Sequence, residues 1–206
     1  MVDLDPAMTN LAKTHPVLLS INQGAFHDER VEVVNRDAST FLDADHRLYG
    51  VIIVDLPDPD TIDLMHVYSK KFYDKLRRHL IRGGVMVTQA TSPYFSHKAF
   101  LCILKTVRSA GFSVLPYHNQ IPTMGEWGWV MGIDESEIGE EELKLRATEL
   151  EFSNIKTRFI NRNAVISMVH FGKGVLEAGA SRPIRINTEV HPVLYRYYLS
   201  GTWGVY

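Results

Sequence analysis

Cysteine is nearly absent: Cys102 is the single thiol in 206 residues. Without a second one there is no disulfide framework, and its apolar neighbours in a helical pattern make it a small core residue, which fits a reducing, cytoplasmic setting. Long hydrophobic runs are missing too, none approaching the roughly 18 residues of a membrane-crossing helix. The opening MVDLDPAMTN is acidic where a secretory leader is basic and then apolar. Positive charge is not in surplus: 22 Lys and Arg face 24 Asp and Glu, a net charge of -2. The basic residues are scattered, so nothing is built to grip a phosphate backbone, and nucleic acid is not an expected partner. The nine histidines lack ligand-like clustering, and no metal site is expected. Internal repeats and low-complexity tracts are also missing.

What remains is a 45% hydrophobic, 22% charged chain of a size that buries one substantial core. Asp5 followed by Pro6 reads as a helix cap with proline in the first turn, predicting a helix from Pro6 to about His15. The chain therefore enters on the last residues of a strand. Val31–Val34 is a short β-branched run, and Val51-Ile52-Ile53-Val54 is continuous apolar sequence of the kind central parallel strands show. A further strand is expected at Val85–Thr88. Between these, Leu64, Tyr68, Phe72, Leu76 and Leu80 recur at steps of four, predicting one helix that Gly83-Gly84 ends. Ala99, Phe100, Ile103, Leu104 and Val107 form the next helical face, Gly111 closes it, and Phe112–Leu115 starts another strand. Alternation of strand and helix predicts a doubly wound α/β sheet. Past Gly132 the pattern weakens to an acidic helix at about Glu140–Glu151 and a tail holding Asn187-Thr188 and Tyr195, Tyr197, Tyr198, Trp203 and Tyr206, read as a packing element.

In open α/β sheets ligands bind beyond the carboxyl ends of the strands. Aspartates follow several of the apolar runs here: Asp3 and Asp5 at the first strand's end, Asp37 after Val31–Val34, Asp55 and Asp58 after Val51–Val54. Each taken alone reads equally well as the cap of the next helix. Taken together they suggest ligands. Asp3 is placed to accept from both hydroxyls of a ribose, and Asp37, in Asn35-Arg36-Asp37-Ala38, from an exocyclic adenine amine. Asp55 and Asp58, with Pro57 and Pro59 stiffening their loop, suit a cationic substrate.

The succession VDLDP, RVEVVNRDASTFL, YGVIIVDLPDPDT, FYDKLRRHLIRGGVMVTQATSPYF and AGFSVLPYHNQIPTMGEWGWVMG resembles the polyamine aminopropyltransferase (spermidine synthase) family over residues 1 to about 133. The INTEVHPVLYRYY tail is similar to bacterial members that carry an N-terminal membrane region. The resemblance implies a Rossmann-like fold of the class I methyltransferase type, partial over residues 1–135, with a helical and aromatic extension over 136–206 packed on it. It implies transfer of the aminopropyl group of decarboxylated S-adenosylmethionine to a diamine such as putrescine, giving spermidine and methylthioadenosine. Asp3 would hold the ribose with Asp5 beside it, Asp37 and Ala38 the adenine, Asp55 would be the catalytic base, and Asp58 and Gln89 would line the diamine pocket. An alkylammonium, with a pKa of about 10.4, must lose a proton before it attacks, which is the task of such a base. No tightly bound cofactor is implied: the adenosyl compound is a co-substrate. Homo-oligomerisation and an upstream membrane region stay open.

The sequence also departs from the family. The glycine-rich loop and the central first strand are not in the chain, an absence expected to leave unpaired edges at the strands ending in Asp3 and in Asp55. Gly50 replaces an acid, Leu56-Pro57 a serine pair, and Met124 a tyrosine near the amine, so the amine accepted stays open. A methyltransferase using S-adenosylmethionine would share Asp3 and Asp37 without needing Asp55 and Asp58, and an inactive remnant or scaffold is the third reading.

Overall fold

Among the described residues strand pairing falls into two sheets, and the contacts divide the chain into Met1–Arg47 and Leu48–Tyr206. The computed structural model describes residues 1–177 and 183–202, so Trp203 and Tyr206 of the tail lie outside the described residues.

In the first unit β1 (Val2–Asp3) runs parallel to β2 (Val34–Asn35), with Asp3 opposite Asn35. Between them come α1 (Pro6–Thr14), α2 (Pro16–Asn22) and a 3-10 turn at Ala25–His27. The cap read from sequence is present: Asp5 accepts from the Ala7 amide at 2.8 Å, and Pro6 occupies a position where its missing N–H leaves no carbonyl unpaired. Asp37 in turn caps α3 (Ala38–Ala44). Of the strand expected at Val31–Val34 only Val34 is in β2, which runs on to Asn35, because ladder hydrogen bonds need a partner and β1 offers only Val2–Asp3.

The second unit contains β3 (Tyr49–Val54), a 3-10 helix (Ile62–Tyr68), α4 (Lys70–Arg78), β4 (Leu80–Gln89), α5 (His97–Ser109), β5 (Phe112–Ile121) and β6 (Gly125–Asp134). After them come α6 (Glu140–Thr148), α7 (Arg162–Met168) and α8 (Leu194–Leu199). The sheet order is β3-β4-β6-β5. β3 and β4 are parallel, whereas β6 is antiparallel to both β4 and β5. Alternating strand and helix therefore holds as far as β5, and a hairpin then folds β6 back between β5 and β4.

The single helix expected through Leu64–Leu80 is in fact two. Ser69 is extended (φ -84°, ψ 157°), and its Oγ accepts from the Phe72 amide at 3.2 Å, so it caps α4 and stops the preceding 3-10 turn. Leu80 already belongs to β4, and Gly83-Gly84 lie inside that strand rather than ending a helix. A Cβ on Gly84 would sit 2.8 Å from the Ile81 carbonyl oxygen and 3.0 Å from that of Tyr49, where the β3–β4 register shifts. The glycine admits a close backbone approach in an irregular strand.

Both faces of the sheet are covered at β5, where successive residues point to opposite sides. Val114 and Leu115 are both buried. Leu115 joins Ile138, Leu143 and Val169 in one cluster with α6 and α7. α4 and α5 supply Phe72, Tyr73, Phe100, Ile103 and Val107, all at or near zero exposure. Burial of such side chains contributes roughly 1.5–3 kcal/mol each. That anchoring holds the carboxyl ends of β3 and β4 side by side, with Val54 opposite Thr88.

Candidate active site

Asp55 and Asp58 leave the end of β3 in the loop that leads to the 3-10 helix, and Gln89 ends the neighbouring β4. Gln89 is 4% exposed, and its amide is fully engaged. Its Oε1 accepts from the Thr91 amide at 3.0 Å and from Trp127 Nε1 at 3.2 Å. Two N–H donors on one side fix which end of the amide is oxygen. Its Nε2 donates to Tyr68 Oη (2.7 Å), to the Leu56 carbonyl (3.2 Å) and to Asp58 Oδ1 (3.3 Å). The buried Tyr68 hydroxyl donates in turn to the Pro57 carbonyl at 2.8 Å. Both carbonyls between the two acids are thus pinned, which sets the path of the loop.

The two acids differ sharply in surroundings. Asp58 is half-buried: Oδ2 accepts from Tyr198 Oη at 3.0 Å, and Oδ1 faces Gln89. Burial pushes its carboxyl above the ordinary range, Tyr198 and Gln89 pull it part of the way back, and nearby Asp60 adds a further upward push. Asp55 is exposed, and among the described residues no donor hydrogen-bonds to its carboxylate. Burial, above all, holds the Tyr68 phenol protonated, and the charges of Asp58 and Asp55 add to that. A held carboxylate beside an open one can bind a cation at the first and pass a proton to the second.

Tyr198 and its anchor were not legible as site residues in the sequence. α8 is docked by Asn187, which has no exposed surface. Its Nδ2 donates to the carbonyls of Met65 (3.0 Å) and Tyr68 (3.1 Å), and its Oδ1 accepts from the amides of Val193 (3.0 Å) and Leu194 (3.3 Å). Its own N–H donates to Thr106 Oγ1 at 2.9 Å. One amide therefore ties the start of α8 to the 3-10 helix below the acidic loop. The tail read as packing brings a hydroxyl to Asp58, across 140 residues of sequence. Thr91, fully buried with φ 61°, is a strained residue just past Gln89, and its carbonyl accepts from the Gly128 amide at 2.7 Å.

In the first unit, the parallel register sets Asp3 level with Asn35, so Asp3 and the Asn35–Ala38 turn share one end of that small sheet. Asp3 Oδ1 accepts from the Asp5 amide at 2.8 Å. Asp5 caps α1, Asp37 Oδ1 accepts from Thr40 N at 2.8 Å and Thr40 Oγ1 at 2.9 Å, and Ala38 is the first residue of α3. The capping role weighed from sequence is real for Asp5 and Asp37.

Comparison with known proteins places the chain in a family. A family profile described as the spermine/spermidine synthase domain matches residues 1–144. A polyamine aminopropyltransferase of Oceanobacillus iheyensis is 37% identical over 198 residues, which is 96% of this chain and 37% of that protein. One from Mycobacterium tuberculosis is 44% identical over 133 residues, 63% of this chain and 25% of the relative. The chain thus spans well under half the length of these relatives. A spermidine synthase structure from Thermotoga maritima superposes with a TM-score of 0.65 at 18% identity, covering 85% of this chain and 58% of that one. The superposition carries the Rossmann-like fold, the matched segment carries the acids at its strand ends, and by that match this chain belongs to the spermine/spermidine synthase family.

Proposed function

We propose that this protein works in aminopropyl transfer: decarboxylated S-adenosylmethionine gives its aminopropyl group to a diamine such as putrescine, yielding spermidine and methylthioadenosine. The observation that carries the reading is the contrast between Asp58, held by Tyr198 and Gln89, and Asp55, exposed with no hydrogen-bond donor on it among the described residues.

In this reading Asp58 receives the amine, Gln89 lines that pocket by holding the Asp58 carboxylate, and Asp55 orients the attacking end of the amine and takes its proton. The freed nitrogen lone pair forms the new C–N bond at the aminopropyl carbon, and the C–S bond breaks, its electron pair going to sulfur. The sulfonium becomes a neutral thioether, so the leaving group needs no acid. Asp3 receives the ribose hydroxyls with Asp5 beside them, and Asp37 with the Ala38 backbone receives the adenine. The adenosyl compound comes and goes as a co-substrate, and the reaction is placed in the cytoplasm, in keeping with the unpaired, buried thiol of Cys102.

The test is incubation of the protein with putrescine and either decarboxylated S-adenosylmethionine or S-adenosylmethionine, with products read by mass. Spermidine with methylthioadenosine supports the proposal. Methylated amine from S-adenosylmethionine would replace it with a methyltransferase, and binding of neither nucleoside would leave a remnant or scaffold.

A further inference from the structure

The contact between Tyr198 and Asp58 comes from outside the segment that defines the family, since the match ends at residue 144 and α8 spans Leu194–Leu199. It is not a loose surface contact. Asn187 fixes both residues that open the helix, Leu194 is fully buried, and Tyr198 lies one turn further along the same helical face. The hydroxyl is delivered by a docked element to one chosen oxygen of one carboxylate.

The choice of a phenol has a physical consequence. Among the described residues no Lys or Arg pairs with Asp58; both of its oxygens are met by neutral donors, Tyr198 and Gln89. A cation there would cancel the charge a substrate ammonium needs, whereas neutral donors orient the carboxylate and leave its full negative charge in place. Burial and the neighbouring Asp58 and Asp60 charges hold the Tyr198 phenol protonated, so it remains a donor across the neutral and mildly alkaline range. Each carboxylate oxygen accepts more than one hydrogen bond, so room remains for an ammonium on the lone pairs that Tyr198 and Gln89 leave open.

We propose that Tyr198 is a positioning residue of the amine site: its hydroxyl, fixed by the docked C-terminal helix, turns the Asp58 carboxylate toward the ammonium end of a primary diamine. The proposal rests on the aminopropyl-transfer reading for the identity of the amine, and its test does not require turnover.

Putrescine is titrated calorimetrically into the protein and into Tyr198→Phe, with and without methylthioadenosine, from about pH 5 to 9, and thermal melts are recorded alongside. Tyr198→Phe is expected to melt like the parent and to bind putrescine about tenfold more weakly, the scale of one hydrogen bond to a charged group. Its binding is also expected to fade at a higher pH on acidification. The sign follows from the contact: the hydroxyl favours the ionised form of Asp58, so removing it makes Asp58 easier to protonate, and only the ionised form attracts the ammonium. In an Asp58→Asn background the same Tyr198→Phe change is expected to have little further effect, because Tyr198 acts through that carboxylate. Equal putrescine affinity and pH profile in parent and Tyr198→Phe would overturn the proposal, as would an undiminished loss in the Asp58→Asn background. Failure of the parent to bind putrescine would overturn it together with the function. Tight, Tyr198-dependent binding without product amine would leave Tyr198 in place and remove the transfer reaction alone.

Discussion

At the scale of the residue, the acidic loop after β3 gives two aspartates different surroundings, and the proposed division of roles rests on that difference. Asp58 is half-buried and held from two sides, and Asp55 is open. Replacing Asp58 with Asn is expected to raise the KM for the diamine by roughly tenfold or more while changing kcat less, because it removes attraction for a cation present in ground and transition states alike. Steady-state kinetics over a range of putrescine concentration checks this, and a loss confined to kcat would contradict it. Raising the pH toward 10 is expected to rescue part of the Asp55→Asn defect, since more amine arrives neutral; a merely structural Asp55 predicts a lowered melt and no rescue. Both acids were legible in the sequence because they follow the apolar Val51–Val54 run. Tyr198 was not, because its partner lies 140 residues away and an aromatic tail at helical spacing looks like ordinary packing. In the sequence Asn187 is only one residue of a tail motif, since nothing local reveals that its amide meets two carbonyls and two N–H groups.

At the scale of the element, the site depends on how α8 and β6 are seated. Asn187→Ala is expected to destabilise the protein by about 2–4 kcal/mol, the cost of leaving several buried backbone groups unpaired, and to weaken amine binding by releasing Tyr198. Chemical denaturation measures the first effect, and a change under about 0.5 kcal/mol would contradict it, being ordinary for a surface substitution. Gly128→Ala is expected to cost about 1–3 kcal/mol, because its Cβ would lie 2.6 Å from Phe100 Cε2 and 3.1 Å from the Thr91 carbonyl oxygen, and Phe100 is fully buried with nowhere to move. The helices α1 and α5 and the strand β3 were readable because cap, stripe or apolar run coincided with the element. The stretch from Leu64 to Leu80 misled for a physical reason: steps of four continue through a 3-10 turn and into a strand, and periodicity alone does not register the extended backbone at Ser69. Gly83-Gly84 carried the same ambiguity, since glycine serves a helix end and a strand irregularity equally.

At the scale of the whole molecule, the two units differ in how much they bury. In Met1–Arg47 only Thr9 and Leu42 are buried, whereas α5 alone buries residues along its length from Ala99 to Val107. Local stability follows buried contact, so amide hydrogen exchange in residues 1–47 is expected to run well ahead of exchange in α5 and β6; equal protection would contradict this. The central claim is that a carboxylate at the end of β3 drives aminopropyl transfer, and turnover of Asp55→Asn beside the parent tests it most directly, with a thermal melt of each. The account predicts spermidine and methylthioadenosine in equal amounts from the parent, and from an Asp55→Asn protein that melts normally a rate lower by roughly 10² to 10⁴. Transfer by that variant at the parent rate would contradict it.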